Sequence, residues 1–181
     1  MKFKLRPYQE EASKKAVEFF LDEKKNWNAL EVLPTASGKS LILADIAARL
    51  KDKVLVFSPT KEILEQNYKK YCSYGFDNAS IYSASFKSKE ISDVTFATIG
   101  SVKGHPELFT DFKYILIDEV HLVKPESGMY KEFLDKLKSK VIGLTATPFR
   151  LYSYQNYGSI LKFLTRSRDK IFKELIYYVQ V

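Results

Sequence analysis

Apolar and polar positions follow two periods along the chain, one typical of helices and one typical of buried strands. Apolar residues fall near helical spacing between Tyr8 and Phe20, which predicts an amphipathic helix. Short runs that are mainly apolar come later, and they predict strands at residues 28–33, 54–57, 94–98, 114–118 and 140–144. Because helical stretches separate these runs, we expect right-handed crossovers and a mainly parallel central sheet.

The helices between the strands place the sheet inside the molecule. Residues 41–50 are apolar on nearly every side, which favours a helix packed against the sheet over one that lies on the surface. Ser58, Pro59 and Thr60 follow the second strand and offer a cap residue and a first-turn proline for the next helix. The pattern therefore predicts a three-layer α/β domain, with ligands bound at the carboxyl ends of the strands.

Length and composition fit one domain without a membrane anchor. A chain of 181 residues with 45% hydrophobic content can bury one core, whereas two full domains would be cramped. Cys72 is the single cysteine, which excludes an internal disulfide framework and fits a reducing, intracellular setting. No run approaches the ~20 apolar residues of a membrane span. We expect a soluble, cytoplasmic protein, monomeric as this chain.

The net charge of +7 is concentrated toward the C-terminal end of the chain. Residues 150–181 hold six basic side chains and only two acidic ones. An excess of this kind suits a polyanionic partner, because each Lys or Arg placed on a phosphate releases counterions. A solvated surface that keeps a small protein in solution explains the same charge equally well.

A small-residue turn that ends in Gly38, Lys39 and Ser40 joins the first strand to the apolar helix. A turn without bulky side chains lets backbone N–H groups point at the phosphates of a nucleotide, and the helix N-terminus adds partial positive charge. Lys39 can then reach the outer phosphates, and the Ser40 hydroxyl can hold Mg²⁺. The turn therefore predicts a phosphate-binding loop.

Two adjacent carboxylates, Asp118 and Glu119, follow the apolar run at residues 114–117. A magnesium-dependent nucleotide hydrolase needs one carboxylate near the metal and one near the attacking water. Together with Lys39, the pair therefore completes the chemistry that the phosphate-binding loop begins, and the predicted ligand is a nucleotide with Mg²⁺.

Six motifs occur in a fixed order, and together they resemble the first RecA-like domain of a superfamily 2 helicase. The motifs are Leu5-Arg-Pro-Tyr-Gln9, Pro34-Thr-Ala-Ser-Gly-Lys-Ser40, Ser58-Pro-Thr60, Ala97-Thr-Ile-Gly100, Asp118-Glu-Val-His121 and Thr145-Ala-Thr-Pro148. The chain looks most like the DExH branch, which includes DNA-repair helicases and the motor subunits of restriction enzymes. The resemblance implies a RecA-like P-loop NTPase fold.

The resemblance implies the roles of the catalytic residues, with ATP and Mg²⁺ as the cofactors. Asp118 would hold Mg²⁺ through its water shell, and Glu119 would orient and deprotonate the attacking water. Lys39 would be the third catalytic group.

The resemblance also implies which residues bind the nucleotide. Gln9, with Arg6, would contact the adenine edge, since an amide both donates and accepts hydrogen bonds. The residues that would wrap the phosphates are Thr35, Ala36, Ser37, Gly38, Lys39 and Ser40. Ala36 stands where many relatives have glycine, and its Cβ narrows the backbone angles that the turn can adopt.

Further roles implied by the resemblance concern coupling and nucleic-acid binding. His121, Thr145 and Thr147 would link the carboxylate pair to loops that touch nucleic acid. The segments that would hold one strand contain Pro59, Thr60, Lys61, Thr98, Ile99, Gly100 and Ser101, and Arg150 lies beyond them. Hydroxyls, N–H groups and basic side chains recognise phosphates without reading sequence. Tyr152, Tyr154 and Tyr157 are candidates for stacking on bases, and covering an otherwise exposed flank of the domain explains them equally well.

The resemblance divides the chain and implies its function. Residues 1–150 would form the ATP-binding domain, and the basic residues 151–181 would lead to a second RecA-like domain in cis that lies outside this chain. The implied function is the ATP-binding half of a DNA helicase or translocase, with DNA favoured over RNA. Because the second domain supplies arginine fingers, we expect this chain by itself to hydrolyse ATP very slowly.

Three other functions remain compatible with the sequence. The domain could belong to an RNA helicase, or it could be a P-loop ATPase that acts on a protein partner. It could also be a binding module with a vestigial nucleotide site, although intact Lys39, Asp118 and Glu119 argue against that. Salt-sensitive binding to single-stranded DNA would count against a protein partner.

Overall fold

The chain folds around an eight-stranded central sheet with helices on both faces. The computed structural model describes residues 4–122, 128–147, 149–154, 158–163 and 172–179. The helices of this part are α1 Pro7–Leu21, α2 Lys39–Leu50, α3 Lys61–Cys72, α4 Ile99–Val102 and α5 Met129–Asp135. Short 3₁₀ turns occupy Ala84–Phe86, Pro106–Phe109 and Val120–Leu122.

The strands confirm the predicted α/β class and the mainly parallel sheet. They are β1 Ala29–Val32, β2 Val54–Phe57, β3 Ala79–Ser83, β4 Ser88–Lys89, β5 Val94–Ala97, β6 Tyr114–Asp118, β7 Lys140–Thr145, β8 Phe149–Tyr154, β9 Gly158–Phe163 and β10 Glu174–Tyr178. The main sheet has the order β10-β1-β7-β6-β2-β5-β3-β4, while β8 and β9 form a separate antiparallel pair. Within the main sheet only β4 runs antiparallel to its neighbour.

Two apolar cores cover the two faces of the sheet, which explains why most positions of the central strands are apolar. The helices α1, α2 and α3 pack on one face, where Ile42, Ile46 and Leu64 are buried. The other face is covered by α4, α5 and the turn at Pro106–Phe109, with Phe109 and Phe133 buried. A strand that is buried on both sides has no solvent-facing position to fill with polar residues.

The start of α3 differs from the sequence-based expectation. Thr60 is the N-cap, its Oγ1 accepts a hydrogen bond from the Ile63 N–H at 3.3 Å, and the helix begins at Lys61. Pro59 therefore lies before the helix rather than in its first turn. Ser58 is buried directly after β2, and its hydroxyl does not cap α3.

Strand β10 extends the main sheet beyond residue 150. It pairs in parallel with β1, and its register shifts between Leu30 and Glu31. The sequence assigned residues 151–181 to an extension outside the domain, yet residues 174–178 form an edge strand of the same sheet. The domain boundary at residue 150 stays a prediction. None of the described helices is long and apolar enough to cross a membrane.

Glu31 is a carboxyl group in the core beneath α1. It lies in β1 with no exposed surface, and neither carboxyl oxygen has a hydrogen-bond partner among the described residues. Burial raises the pKa of this carboxyl well above its usual value, and nearby Lys15 offsets that only in part. The native state therefore favours the protonated form.

We expect Glu31→Met to stabilise the fold, and by more at pH 8 than at pH 5. A group whose native pKa is raised contributes stability below its unfolded pKa, about 4.3, and loses it as pH rises through the native pKa. Met has a similar unbranched shape and needs no hydrogen bond. The free energy of unfolding, measured by urea titration, should rise by about 1–3 kcal/mol at pH 8.

Glu31→Gln is the matched control, because it keeps a buried polar group but cannot ionise. The free energy of unfolding of Glu31→Gln should not fall between pH 5 and pH 8 as that of the wild type does. Glu31→Gln should still be less stable than Glu31→Met, because a polar side chain stays buried. A Gln variant whose stability follows the wild-type pH profile between pH 5 and pH 8 would contradict the assignment.

Candidate active site

The turn after β1 is built to expose backbone N–H groups. Ala36 and Gly38 both adopt left-handed backbone conformations, with φ of 62° and 80°. The N–H groups of Gly38, Lys39 and Ser40 donate to no acceptor in the described part of the chain. Such donors, together with the positive end of the α2 dipole, form a cradle for an anion.

The start of α1 holds this turn in place. The Gln9 Nε2 group and the Tyr8 hydroxyl both donate to the Ser37 carbonyl oxygen, at 2.7 and 2.9 Å. The Gln9 Oε1 atom accepts from the Arg6 N–H at 2.8 Å. Gly38 has a φ of 80°, and a Cβ atom there would lie 2.5 Å from Gln9 Nε2, so a side chain would strain the backbone and displace Gln9 from the Ser37 carbonyl. Gln9 thus binds the turn itself, and adenine recognition by Gln9 and Arg6 stays a prediction.

The structure brings Lys39, Asp118 and Glu119 together. Strands β1 and β6 both flank β7, so their carboxyl ends lie two strands apart at the same edge of the sheet. Lys39 Nζ lies 2.9 Å from Glu119 Oε1, and both side chains are mostly buried, at 13% and 22% exposed. The ammonium that is predicted to bind phosphate and the carboxylate that is predicted to activate water are therefore direct partners.

The backbone of Glu119 is strained. Its φ is 53°, a left-handed conformation that costs a residue with a Cβ about 1–3 kcal/mol. The chain turns at this residue from β6 into the 3₁₀ turn Val120–Leu122. This turn directs the Glu119 carboxylate to Lys39, so the strain serves the placement of that side chain.

Asp118 is buried and held at both oxygens. Its Oδ1 accepts from the Glu119 N–H at 2.9 Å, and its Oδ2 accepts from Asn67 Nδ2 at 3.1 Å. Burial raises the pKa of the Asp118 carboxyl, the Asn67 hydrogen bond lowers it, the charge of Glu119 raises it, and that of Lys39 lowers it. The balance lies above the ordinary value, and a nearby cation would lower the pKa again and favour the carboxylate.

His121 connects the carboxylate pair to the end of β7. Its Nδ1 lies 2.9 Å from Thr145 Oγ1 and 3.3 Å from Glu119 Oε2. The Thr145 hydroxyl donates to the Thr147 carbonyl and accepts from the Thr147 N–H, both at 3.0 Å. Because the one hydroxyl proton is used there, Nδ1 carries the proton that it shares with Thr145. The three predicted coupling residues thus form one chain of hydrogen bonds.

The donor set fits a magnesium nucleotide. The Ser37 hydroxyl is buried in the turn and has no hydrogen-bond partner among the described residues, and Ser40 lies in the first turn of α2 directly after Lys39. No group of three or more His, Cys, Asp or Glu side chains in the described ranges forms a metal site by itself. Mg²⁺ commonly binds through one or two protein oxygens together with substrate phosphates, and Ser40 and Asp118 supply such oxygens.

A cavity of about 550 Å³ adjoins the carboxylates on their other side. It is lined by residues at the ends of β2, β5 and β6 and by the start of α5, including Ser58, Lys61, Thr98, Gly100, Asp118, Glu119 and Tyr130. Two of the predicted nucleic-acid segments therefore meet beside Asp118 and Glu119. Lys61 is exposed and lies over the ring of Phe86, 5.2 Å from its centroid.

The hydroxyls of these segments mostly hold the loops together. Thr98 Oγ1 lies 3.2 Å from Ser83 Oγ and 2.9 Å from Ser101 Oγ, and Ser101 Oγ accepts from the Ala84 N–H. The side chains of Arg150, Tyr152 and Tyr154, and the whole of Tyr157, lie outside the described residues. The nucleic-acid roles stay predictions.

Sequence reasoning missed four residues that shape this site. Tyr8 holds the phosphate turn, Asn67 binds Asp118, Tyr130 lines the cavity, and Gly143 lies under the turn at Val120–Leu122. Burial, followed by the charge of Asp118, raises the pKa of the Tyr130 hydroxyl. Tyr8 belongs to the first motif, so the sequence offered a reason to assign it to the site. Asn67, Tyr130 and Gly143 lie outside the six motifs, and nothing in the sequence marked them.

Comparisons with known proteins found a matching family model and a curated relative. Residues 2–150 match the family model described as type III restriction enzyme, res subunit. The chain is 32% identical over 152 residues to the DNA 3'-5' translocase XPB2 of Sulfurisphaera tokodaii, which covers 82% of this chain and 32% of that protein. The chain therefore spans about a third of the length of that relative.

Solved helicase and translocase structures share the fold. The UvsW helicase from bacteriophage T4 aligns with a TM-score of 0.68 and 21% identity, over 97% of this chain and 60% of that one. A nuclease-deletion mutant of the type ISP restriction-modification enzyme LlaGI, solved with a DNA substrate mimic, aligns with a TM-score of 0.68 and 19% identity. The alignment covers 98% of this chain and 20% of that one. The Sulfolobus solfataricus SWI2/SNF2 ATPase core, solved with double-stranded DNA, aligns with a TM-score of 0.62 and 22% identity. The alignment covers 82% of this chain and 33% of that one.

Proposed function

The chain belongs to the family of the type III restriction enzyme res subunit, and from that premise we propose that it is the ATP-binding half of a DExH-type DNA helicase or translocase. In this proposal the complete protein hydrolyses ATP to move along nucleic acid. The observation that carries it is the contact between Lys39 and Glu119 at 2.9 Å, beside buried Asp118 and a turn of exposed N–H donors.

Each residue of the site has one task in this proposal. Lys39 and the N–H groups of the turn bind the outer phosphates, which requires Lys39 to leave Glu119. Ser40 and Asp118 would hold Mg²⁺, which neutralises phosphate charge when it is bound. Glu119, once released, orients the attacking water and accepts its proton. His121 keeps a second contact to Glu119 and carries its position to Thr145.

Nucleic acid is the proposed partner, with DNA favoured over RNA. Support comes from the relative that is named a DNA translocase and from the two neighbouring structures that contain DNA or a DNA mimic. The exposed Lys61 and the loops around Thr98 border the cavity next to Glu119. A strand bound there would lie within reach of the catalytic carboxylates. We place the complete protein in the cytoplasm.

Slow hydrolysis by this chain alone is part of the proposal. Among the described residues, the cations near Glu119 are Lys39 and, when protonated, His121. An arginine finger from a second RecA-like domain would add the charge that the transition state needs, and such groups contribute about 10³- to 10⁵-fold in rate. Closure of the two domains on ATP would then set the turnover.

Equilibrium binding by this chain tests the proposal. A fluorescent ADP should bind in the presence of Mg²⁺, and Lys39→Ala should abolish that binding. Single-stranded DNA should bind more weakly as salt rises, because phosphate contacts release counterions. Lys61→Ala should lower the salt slope of log K by about 0.7, the contribution of one phosphate contact on a single strand.

The results separate the alternative functions. DNA binding that is absent or independent of salt, with nucleotide binding intact, would favour an ATPase that acts on a protein partner. No binding of the magnesium nucleotide at all would indicate a vestigial site and overturn the proposal. Tighter binding of RNA than of DNA would indicate that the protein is an RNA helicase.

A further inference from the structure

Asn67 occupies a position where the packing of α3 calls for an apolar side chain. It is 1% exposed, and it lies on the buried face of the helix together with Leu64 and Tyr71. A polar side chain in such a place must lose its water, which is unfavourable unless the protein replaces the lost hydrogen bonds. The contacts of Asn67 therefore indicate what it is for.

The Asn67 amide joins two segments that the proposed function keeps separate. Its Nδ2 group donates to Ser58 Oγ at 3.0 Å and to Asp118 Oδ2 at 3.1 Å. Ser58 lies between the end of β2 and the segment predicted to hold nucleic acid, which starts at Pro59, whereas Asp118 ends β6 and is the predicted magnesium carboxylate. Both amide protons are thus used, one on each segment.

The opposite end of the amide shows that this orientation has a cost. Asn67 Oδ1 is buried and has no hydrogen-bond partner among the described residues. An ionised carboxylate only accepts hydrogen bonds, so the amide must turn its NH₂ group to Asp118 and leave its oxygen unpaired. An unpaired buried acceptor is unfavourable, which an apolar residue at this position would avoid.

We infer that Asn67 is a positioning residue that fixes the orientation of Asp118 and couples it to the segment that follows Ser58. This inference rests on the proposed function. With Oδ1 held by the Glu119 N–H and Oδ2 held by Asn67, the Asp118 carboxylate has one fixed plane. A shift of Ser58 when a strand binds at Pro59–Lys61 moves the shared amide, and Asp118 with it.

The test is the Mg²⁺ dependence of nucleotide binding in this chain. Asn67→Ala should raise the Mg²⁺ concentration for half-maximal binding of fluorescent ADP by roughly ten-fold, as loss of partners to metal ligands commonly does. Binding of ADP without Mg²⁺ should not change. Gln66→Ala is the control, because Gln66 is an exposed amide on the same helix. Loss of packing alone would weaken binding equally with and without Mg²⁺.

Ser58→Ala tests the coupling of Asp118 to the nucleic-acid segment separately from the positioning of Asp118 by Asn67. It also replaces Asn67→Ala as the test variant if Asn67→Ala does not fold. It leaves the contact between Asn67 and Asp118 in place and removes the link to the nucleic-acid segment. Single-stranded DNA should lower the Mg²⁺ requirement of the wild-type chain, and this response should be lost in Ser58→Ala. An unchanged response in that variant overturns the inference.

The outcomes also distinguish this inference from the proposed function. A wild-type chain that binds no magnesium nucleotide overturns both. A wild-type chain that binds it, while Asn67→Ala needs the same Mg²⁺ concentration, overturns the role of Asn67 and leaves the proposed function standing.

Discussion

Glu119→Gln should reduce ATP turnover by roughly 10²- to 10⁴-fold, the usual contribution of a general base, while nucleotide affinity is kept or increased. The amide cannot accept a proton from the attacking water. It is also a weaker partner for Lys39, which in the present structure is 2.9 Å from Glu119 Oε1. Lys39 should therefore be more available to phosphate. Turnover is to be measured on the complete protein of the proposed function, and affinity on this chain.

Glu107→Gln provides the control for the change in charge. Glu107 is exposed, it contacts only His105 among the described ion pairs, and it lies away from the site. That variant should leave both turnover and affinity unchanged. Unchanged turnover in Glu119→Gln would remove Glu119 from the role of base, and a loss of nucleotide affinity as large as the loss of turnover would indicate a misfolded site.

Gly143→Ala should destabilise the protein by about 1–3 kcal/mol, the usual cost of overpacking, and weaken nucleotide binding as well. A Cβ atom at this position would lie 2.6 Å from Val120 Cγ2 and 2.8 Å from Val120 Cβ. Val120 is completely buried and follows Glu119 directly, so it cannot move without displacing the carboxylate. Urea unfolding and binding of fluorescent ADP measure the two effects.

A double-mutant cycle shows whether Val120 causes the loss. Val120→Ala removes two of the three close contacts, so it should cost less in the Gly143→Ala background than in the wild type. Gly104→Ala is the control for adding a methyl group, because a Cβ atom there would meet nothing within 4 Å. Additive effects of the two substitutions would contradict the packing explanation.

The local pattern of the sequence predicted most of the sheet and the position of the site. The apolar runs before Pro34, Ser58 and Glu119 are strands in the structure, and the residues that follow them lie at one edge of the sheet. A strand buried on both faces is apolar at most of its positions, so its ends are visible in the sequence. Those ends carry the motifs, which is why the resemblance pointed to the correct family.

Strand β10 and the start of α3 were not predictable in the same way. Residues 174–178 become an edge strand because β1 offers them an unpaired backbone, a fact about a neighbour 140 or more residues away. Pro59 is compatible with a first helical turn, but α3 begins only at Lys61, with Thr60 as its cap. Pairing partners and the exact point of entry into a helix depend on tertiary contacts that local propensity does not contain.

The sequence by itself determined three things: the order of the motifs that follow the strands, the family to which the chain belongs, and the residue types that phosphate chemistry needs. Tertiary structure alone decided that Lys39 pairs with Glu119, that Asn67 bridges Ser58 and Asp118, and that Gly143 must lack a side chain. The physical reason is range. Periodicity and turn chemistry act over a few neighbouring residues, whereas these contacts join residues that only the packed sheet brings within hydrogen-bonding or van der Waals distance.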